Sequence, residues 1–366
     1  MTAPTPPLKD IVVADFTTLL PGPLATLMLA EAGADVVKVE KPGGEDMRAY
    51  PPLWDGISAA FAMLNRGKKS LVVDLRTDEG RKAARELAMR ADVLVEQFRP
   101  GVMQKHGLGY EALRALNPKL IYCSITGYGQ TGPKSKEAGH DINYIGATGL
   151  LSLAPGPAAT PVVPPALIAD IGGGTFPAVM NILLALIARQ KTGQGAYIDI
   201  AMADAMFTFA WMGLATLHGT GKAAGPTELV VAGGSPRYQI YPTKDGKLVA
   251  CGALEQKFWM GFCGAIGLDQ ALVNDFKNPS ATKQAVREII ARETAAHWQP
   301  KFAAADCCVT IVATIEEALA DEHFVKRGLF SEQVASAAGN NTIPALPVPI
   351  SPEFRVSGAR SYPRVK

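Results

Sequence analysis

The chain of 366 residues is 48% hydrophobic and 19% charged, and its 36 basic and 34 acidic side chains leave a formal net charge of +2. That balance excludes a disordered chain and a strongly basic nucleic-acid binder. The length suits two domains, each able to bury its own core. Five cysteines, Cys123, Cys251, Cys263, Cys307 and Cys308, form no C-x-x-C pair and no metal-like spacing with the five histidines. A reduced, cytoplasmic setting fits.

The first ten residues, MTAPTPPLKD, have neither the basic nor the apolar segment of a secretory signal. From Asp10 to Gly127, short β-branched runs alternate with amphipathic stretches, the rhythm of a parallel sheet covered by helices. Strands are expected at 11–16, 35–40, 70–75, 92–96 and 120–126. One helix is expected from Pro23 to Ala32, closing at Gly33. A second begins near Thr77-Asp-Glu-Gly and places Ala83, Ala84, Leu87 and Ala88 on one face.

A loop of Pro155, Pro157, Pro161, Pro164 and Pro165 comes next, then two apolar helices starting near Gly173 and Met202. The greasy stretch 178–188, interrupted by Asn181, is shorter than the ~20 residues of a membrane helix and reads as a buried core helix. A glycine ends that helix at Lys191-Thr-Gly, and Ala196-Tyr-Ile-Asp-Ile supplies a further strand. Beyond a linker at 219–226, the runs 237–241 and 247–251 flank Pro-Thr-Lys-Asp-Gly, a β-hairpin signal. Helices are expected near Gln256, Thr282 and Ile315, and Pro344, Pro347, Pro349 and Pro352 mark an extended tail. The organisation read from the chain is a large α/β domain at 1–220, a small α/β domain at 226–330 and a tail at 331–366.

Gly127-Tyr-Gly-Gln-Thr-Gly132 matches a dinucleotide-binding fingerprint in spacing. Pro133 follows where the fingerprint needs a helix, so a flexible loop is the better reading, although an oxidoreductase built on it stays an alternative. His140, in Ala138-Gly-His-Asp-Ile, and Asp170, in Ala169-Asp-Ile-Gly-Gly-Gly174, are titratable groups among small or apolar neighbours. An unpaired carboxylate between Ala169 and Ile171 is costly to bury, and three bare glycines allow close approach. Each has a plainer alternative: a satisfied core histidine and a helix cap. Glu255, after an apolar strand, reads on its own as a first-turn helix residue.

Several motifs in one order resemble the type III CoA-transferase (CaiB/BaiF) superfamily, and within it the α-methylacyl-CoA racemase branch. They are Asp15-Phe-Thr-Thr-Leu-Leu-Pro-Gly-Pro23, Gly33-Ala-Asp-Val-Val-Lys-Val-Glu40, Asn65-Arg-Gly-Lys-Lys-Ser70, Glu96-Gln-Phe-Arg-Pro-Gly101, Gly127-Tyr-Gly-Gln-Thr-Gly-Pro133 and Gly193-Gln-Gly-Ala196. The resemblance spans nearly the whole chain. It implies a doubly wound, mostly parallel large domain, a smaller α/β domain, a tail returning to the large domain and an interlocked homodimer of ring-like chains.

It also implies an acyl-CoA thioester substrate, with coenzyme A as part of the substrate and no metal or redox cofactor, nucleic acid or membrane partner. Arg66, Lys68, Lys69 and Arg99, near predicted strand ends, are the expected contacts to CoA phosphates, with Gly127 and Tyr128 as further binding residues. In the racemase branch His140 and Asp170 become the two acid/base groups, Glu255 the residue that orients His140, and the Asp141 N–H a donor to the enolate oxygen. In transferases resembling formyl-CoA transferase, Asp170 becomes a nucleophile assisted by a glutamine, whose place here is taken by Leu20. Racemization of a 2-methyl-branched acyl-CoA is therefore the leading expectation. CoA transfer and a non-catalytic thioester-binding role are the alternatives.

Overall fold

The alternation of β-branched and amphipathic segments becomes a six-stranded sheet in the computed structural model, which describes residues 6–154, 156–157 and 159–365. Met1–Thr5 of the N-terminal stretch, and Pro155 of the proline loop, lie outside the described residues. The strands are β1 (Val12–Phe16), β2 (Asp35–Glu40), β3 (Lys69–Val72), β4 (Val93–Glu96), β5 (Ile121–Thr126) and β6 (Ala196–Ala201). Every pairing is parallel, in the order β3-β2-β1-β4-β5-β6. All five strands read from the first 130 residues are present, though β3 ends at Val72 instead of Leu75. β4 and β5 are buried at every position, as parallel strands covered by helices on both faces must be.

The helix expected after Thr77 spans Asp78–Arg90, and its cap is the Thr77 hydroxyl, which accepts the Gly80 N–H at 3.0 Å. Ala84, Leu87 and Ala88 are buried on one face, as the spacing requires.

The stretch 178–188 departs from expectation. It belongs to a helix of 24 residues, Ala169–Thr192, long and apolar enough by composition to cross a membrane. Within Phe176–Thr192 only Ala178, Ile182 and Leu186 are buried, a stripe at helical spacing that packs towards β5 and β6. Met180, Leu184 and Ile187 are each more than half exposed. The reading as a buried helix was wrong because a segment that is apolar all round does not reveal which face finds a partner.

Contacts divide the chain into two units, Met1–Thr148 with Pro165–Met206 and Glu322–Lys366, and Gly149–Pro164 with Phe207–Asp321. These bounds differ from the continuous stretch 1–220, because the second unit takes in Gly149–Pro164 as well as Phe207–Asp321. In the second unit, Tyr238–Pro242 and Leu248–Gly252 form the expected antiparallel hairpin, joined by Val309–Ile311. Trp259, Phe262, Trp298 and Phe302 build its core. The helix Ala295–Ala305 escaped sequence reading because Pro300 lies inside it. The tail of the first unit forms a small sheet of Gln333–Ala335, Thr342–Pro344 and Arg360–Ser361.

Candidate active site

Connections leave β1 toward β2 on one side and β4 toward β5 on the other, which opens a crevice at the carboxyl edge of the sheet between β1 and β4. A cavity of about 510 Å³ lies there. The β1 exit lines it with Thr18 and Leu19, the β4 exit with Gln97, Phe98, Arg99 and Pro100, and the β5 exit with Thr126 and Gly127. His140, Tyr144, Asp170 and Met202 complete the wall. The two residues singled out as an acid/base pair thus share one cavity.

Local chemistry explains the meeting. His140 is an exposed residue immediately before the helix Asp141–Ala147, with its N–H held by Asn143 Oδ1 at 3.0 Å. Asp141 is buried, and its Oδ1 accepts the Asp170 N–H at 2.9 Å. The residue next to the histidine therefore tethers the aspartate 29 positions on. Sequence reasoning had given Asp141 only a backbone role; a side-chain tether of this range leaves no local signal.

Asp170 sits in a π-helical turn, Ala169–Thr175, that leads into Phe176–Thr192. Such turns are rare and widen the helix locally. The glycines serve the chain's own packing: a Cβ on Gly173 would lie 2.5 Å from the Met202 carbonyl oxygen. Gly173→Ala is expected to push the π-turn off Met202, lower stability by about 1–3 kcal/mol and weaken any activity that uses Asp170, as thermal melting and assays of the same preparation would read.

Burial, reinforced by the nearby Asp141 carboxylate and opposed by His140, pushes Asp170 up to about 6. A carboxyl in that range can give or take a proton near neutrality. Burial and Asp170 also lift the Tyr144 hydroxyl to about 12. Tyr144 donates to the Gly139 carbonyl at 2.5 Å, and a Cβ on Gly127 or Gly139 would come within 2.7 Å of its ring. The Gly127 loop is therefore glycine-rich at its start to close over a tyrosine. No helix begins within 127–132, so the dinucleotide reading has no structural basis. Tyr128 packs edge-on against Tyr144 at 5.2 Å.

The expected phosphate contacts need correction. Arg66 is 2% exposed and its donors are taken by Glu31 at 2.9 Å, the Met63 carbonyl at 2.9 Å and the Leu346 carbonyl at 2.8 Å. Lys68 is also buried, bonded to Asp15 at 3.1 Å, Pro23 O at 2.9 Å, Thr26 at 2.8 Å and Asn65 at 2.9 Å. Lys69 opens β3 and pairs with Asp35, which opens β2, so both lie at the amino edge, away from the crevice. These cations precede a strand, whereas ligands of open sheets gather where strands end. Of the four, Arg99 alone lines the cavity.

A second cavity of about 570 Å³ adjoins the first and shares Thr18, Leu19 and Phe98 with it. Lys41, Tyr50, Arg76 and His106 contribute to its wall. Sequence reasoning missed these residues; the useful signal was that Lys41 and Arg76 follow strands. Leu19 has a left-handed backbone, φ 63°, and its N–H donates to buried Glu45 at 2.6 Å. Leu20 packs with an apolar cluster. Glu255 lies in the second unit, exposed, as the residue preceding the helix Gln256–Ile266. Among the described residues, no group of three or more His, Cys, Asp or Glu has the arrangement of a metal site.

Comparison with known proteins gives this cavity its context. The chain is 37% identical to the alpha-methylacyl-CoA racemase of Mus musculus over 330 residues, which cover 88% of this chain and 82% of that protein. It is 36% identical to the succinate–glutarate CoA-transferase of Agrobacterium fabrum over 366 residues, covering 94% and 89% of the two. Among solved structures, a CAIB/BAIF family protein from Brucella suis superposes with a TM-score of 0.80 at 32% identity, over 97% of this chain and 94% of that one. Rv3272 from M. tuberculosis gives 0.82 at 29% identity, over 99% and 97%. The family model described as CoA-transferase family III matches residues 8–365, and the chain belongs to that family.

Proposed function

We propose that the protein racemizes 2-methyl-branched acyl-CoA thioesters by moving the α-proton between His140 and Asp170. The observation that carries this reading is the shared cavity, with Asp170 tethered to the residue beside His140. One group removes the proton of the acidic carbon, a planar enolate forms, and the other group returns a proton to the opposite face. Substrate of the other handedness exchanges their roles. An imidazole is chemically able to take a proton or to give one. Asp170, pushed up to about 6, can likewise give or take a proton near neutrality.

The enolate oxygen needs a preorganised donor, and the N–H of Asp141 opens a helix, where the first amides have no partner within the helix. Coenzyme A is held as part of the substrate, with Arg99 in the first cavity as the cation for its phosphates; Lys41 and Arg76 in the second wall are exposed but paired with Asp46 and Asp74, and would serve only by exchanging those partners.

The functional form proposed is an interlocked homodimer, whose partner covers the apolar face bearing Met180, Leu184 and Ile187. Light scattering on a sizing column should return twice the chain mass. Five unpaired cysteines accord with a cytoplasmic setting.

Transfer of CoA between carboxylic acids, with Asp170 as nucleophile, is the second reading, favoured by the transferase relative at nearly equal identity. Incubation with a 2-methylacyl-CoA in deuterium oxide separates the two. Deuterium at C2 without an added acid is the expected result. Turnover only on addition of a second carboxylic acid, with hydroxylamine trapping an acyl group on Asp170, would establish transfer instead.

A further inference from the structure

Glu96 takes no part in the proton transfer, yet it ends β4 and is only 4% exposed. The parallel register sets it abreast of Ser124 on β5, and Ser124 abreast of Asp199 on β6. Side chains at paired positions share a face of a sheet, so three polar groups form a row near the carboxyl edge.

A buried carboxylate is costly without a cation. Among the described residues no Lys, Arg or His forms an ion pair with Glu96, and the charge acting on it is that of a second acid, Asp199. Burial lifts its carboxyl to about 7, Asp199 adding to the effect against hydrogen bonds from Ser124 and Phe98.

What the fold gains is a two-armed brace. One oxygen accepts the Phe98 N–H at 2.8 Å. The other accepts the Ser124 hydroxyl, and Ser124 Oγ in turn accepts the Gln130 side-chain amide at 2.6 Å. Asp199 holds the Gln130 backbone N–H at 3.0 Å. The first arm braces the β4 exit that brings Gln97, Phe98 and Arg99 to the cavity, and the second braces the loop that begins at Gly127 on the same wall. The two oxygens of one carboxyl group reach both arms at once, each accepting a hydrogen bond.

We propose that Glu96 is a positioning residue that holds these two strand exits, and Arg99 with them, in the geometry that receives the coenzyme portion of the thioester. This assignment rests on the thioester reading given above.

Coenzyme A is titrated calorimetrically into the wild type, Glu96→Ala, Glu96→Gln and Gln130→Leu, with thermal melting of each. In Glu96→Ala, which cuts both hydrogen bonds of the brace at once, the Kd should weaken at least about tenfold. Glu96→Gln should recover most of that loss, because its amide oxygen still accepts the Phe98 N–H while its nitrogen donates to Ser124. Gln130→Leu, which cuts only the outer arm, should weaken binding about threefold to tenfold with an unchanged melting temperature.

An unchanged Kd in Gln130→Leu, with Glu96→Ala either unfolded or binding normally, overturns the proposal. So does a loss in Glu96→Ala that Glu96→Gln fails to recover. A wild-type protein that binds no coenzyme A overturns the thioester reading and this assignment together, whereas wild-type binding with unmoved variants overturns the assignment alone.

Discussion

Asp170→Asn is expected to abolish α-deuteration of the 2-methylacyl-CoA epimer whose proton faces Asp170 and, at neutral pH, to raise the melting temperature. The loss of exchange follows from removing one of two acid/base groups, a change that costs roughly 10²–10⁴-fold in rate. The gain in stability follows from the direction of the pKa shift. Burial first, and Asp141 second, raise the folded Asp170 carboxyl from its usual 3.8 to about 6. The folded protein therefore binds this proton more tightly than the unfolded chain does. Stability falls as pH rises from about 4 through about 6, and above that range the ionised carboxylate is a net cost. An amide removes the charge and leaves the backbone N–H of residue 170 free to keep its bond to Asp141.

The same shift predicts that wild-type exchange with Asp170 as the base declines as pH falls through about 6. A variant that exchanges at the wild-type rate would remove Asp170 from the mechanism. One that loses both exchange and stability would instead mark it as a structural residue. His140→Ala should stop exchange of the opposite epimer, and racemization with it, while leaving coenzyme A affinity close to that of the wild type.

Lys68→Met should lower the free energy of unfolding by about 3–5 kcal/mol, the range for removing one partner of a buried ion pair. Lys68 and Asp15 are both fully buried side chains 3.1 Å apart. Burial alone would raise the Asp15 carboxyl, yet Lys68, Lys38, Thr17 and Thr26 together hold it below the usual range. Without Lys68 that carboxylate loses its closest cation in a place water does not reach.

Urea denaturation measures the loss, and Asp15→Asn combined with Lys68→Met should recover part of it, since the stranded charge is then gone. A single variant within about 1 kcal/mol of the wild type would show that the pair contributes as little as an exposed one. Asp15 also accepts the Thr17 N–H at 3.0 Å, and Lys38 donates to the Thr17 carbonyl at 2.7 Å. The variant is therefore expected to loosen the β1 exit that carries Leu19 into both cavities.

The amino-acid sequence alone determined the layered architecture of the first unit, because its signals are local. β-Branched runs marked the strands, Thr77 and Gly193 punctuated helices, and in the second unit Asp245-Gly246 announced the hairpin. It also singled out His140 and Asp170, through motif resemblance and through titratable groups set among small residues.

Tertiary structure decided where the charges went. Arg66 and Lys68 are as cationic in the sequence as Arg99, yet they became internal fasteners because they precede β3 instead of following a strand, and Glu31 and Asp15 were waiting in the core. The tether from Asp141 to Asp170, the bracing of two strand exits by Glu96 and the bare face of the helix at 176–192 were equally illegible. Each depends on partners brought close by the parallel register and the crossovers, and a one-dimensional pattern reports what a residue can do without reporting what stands beside it.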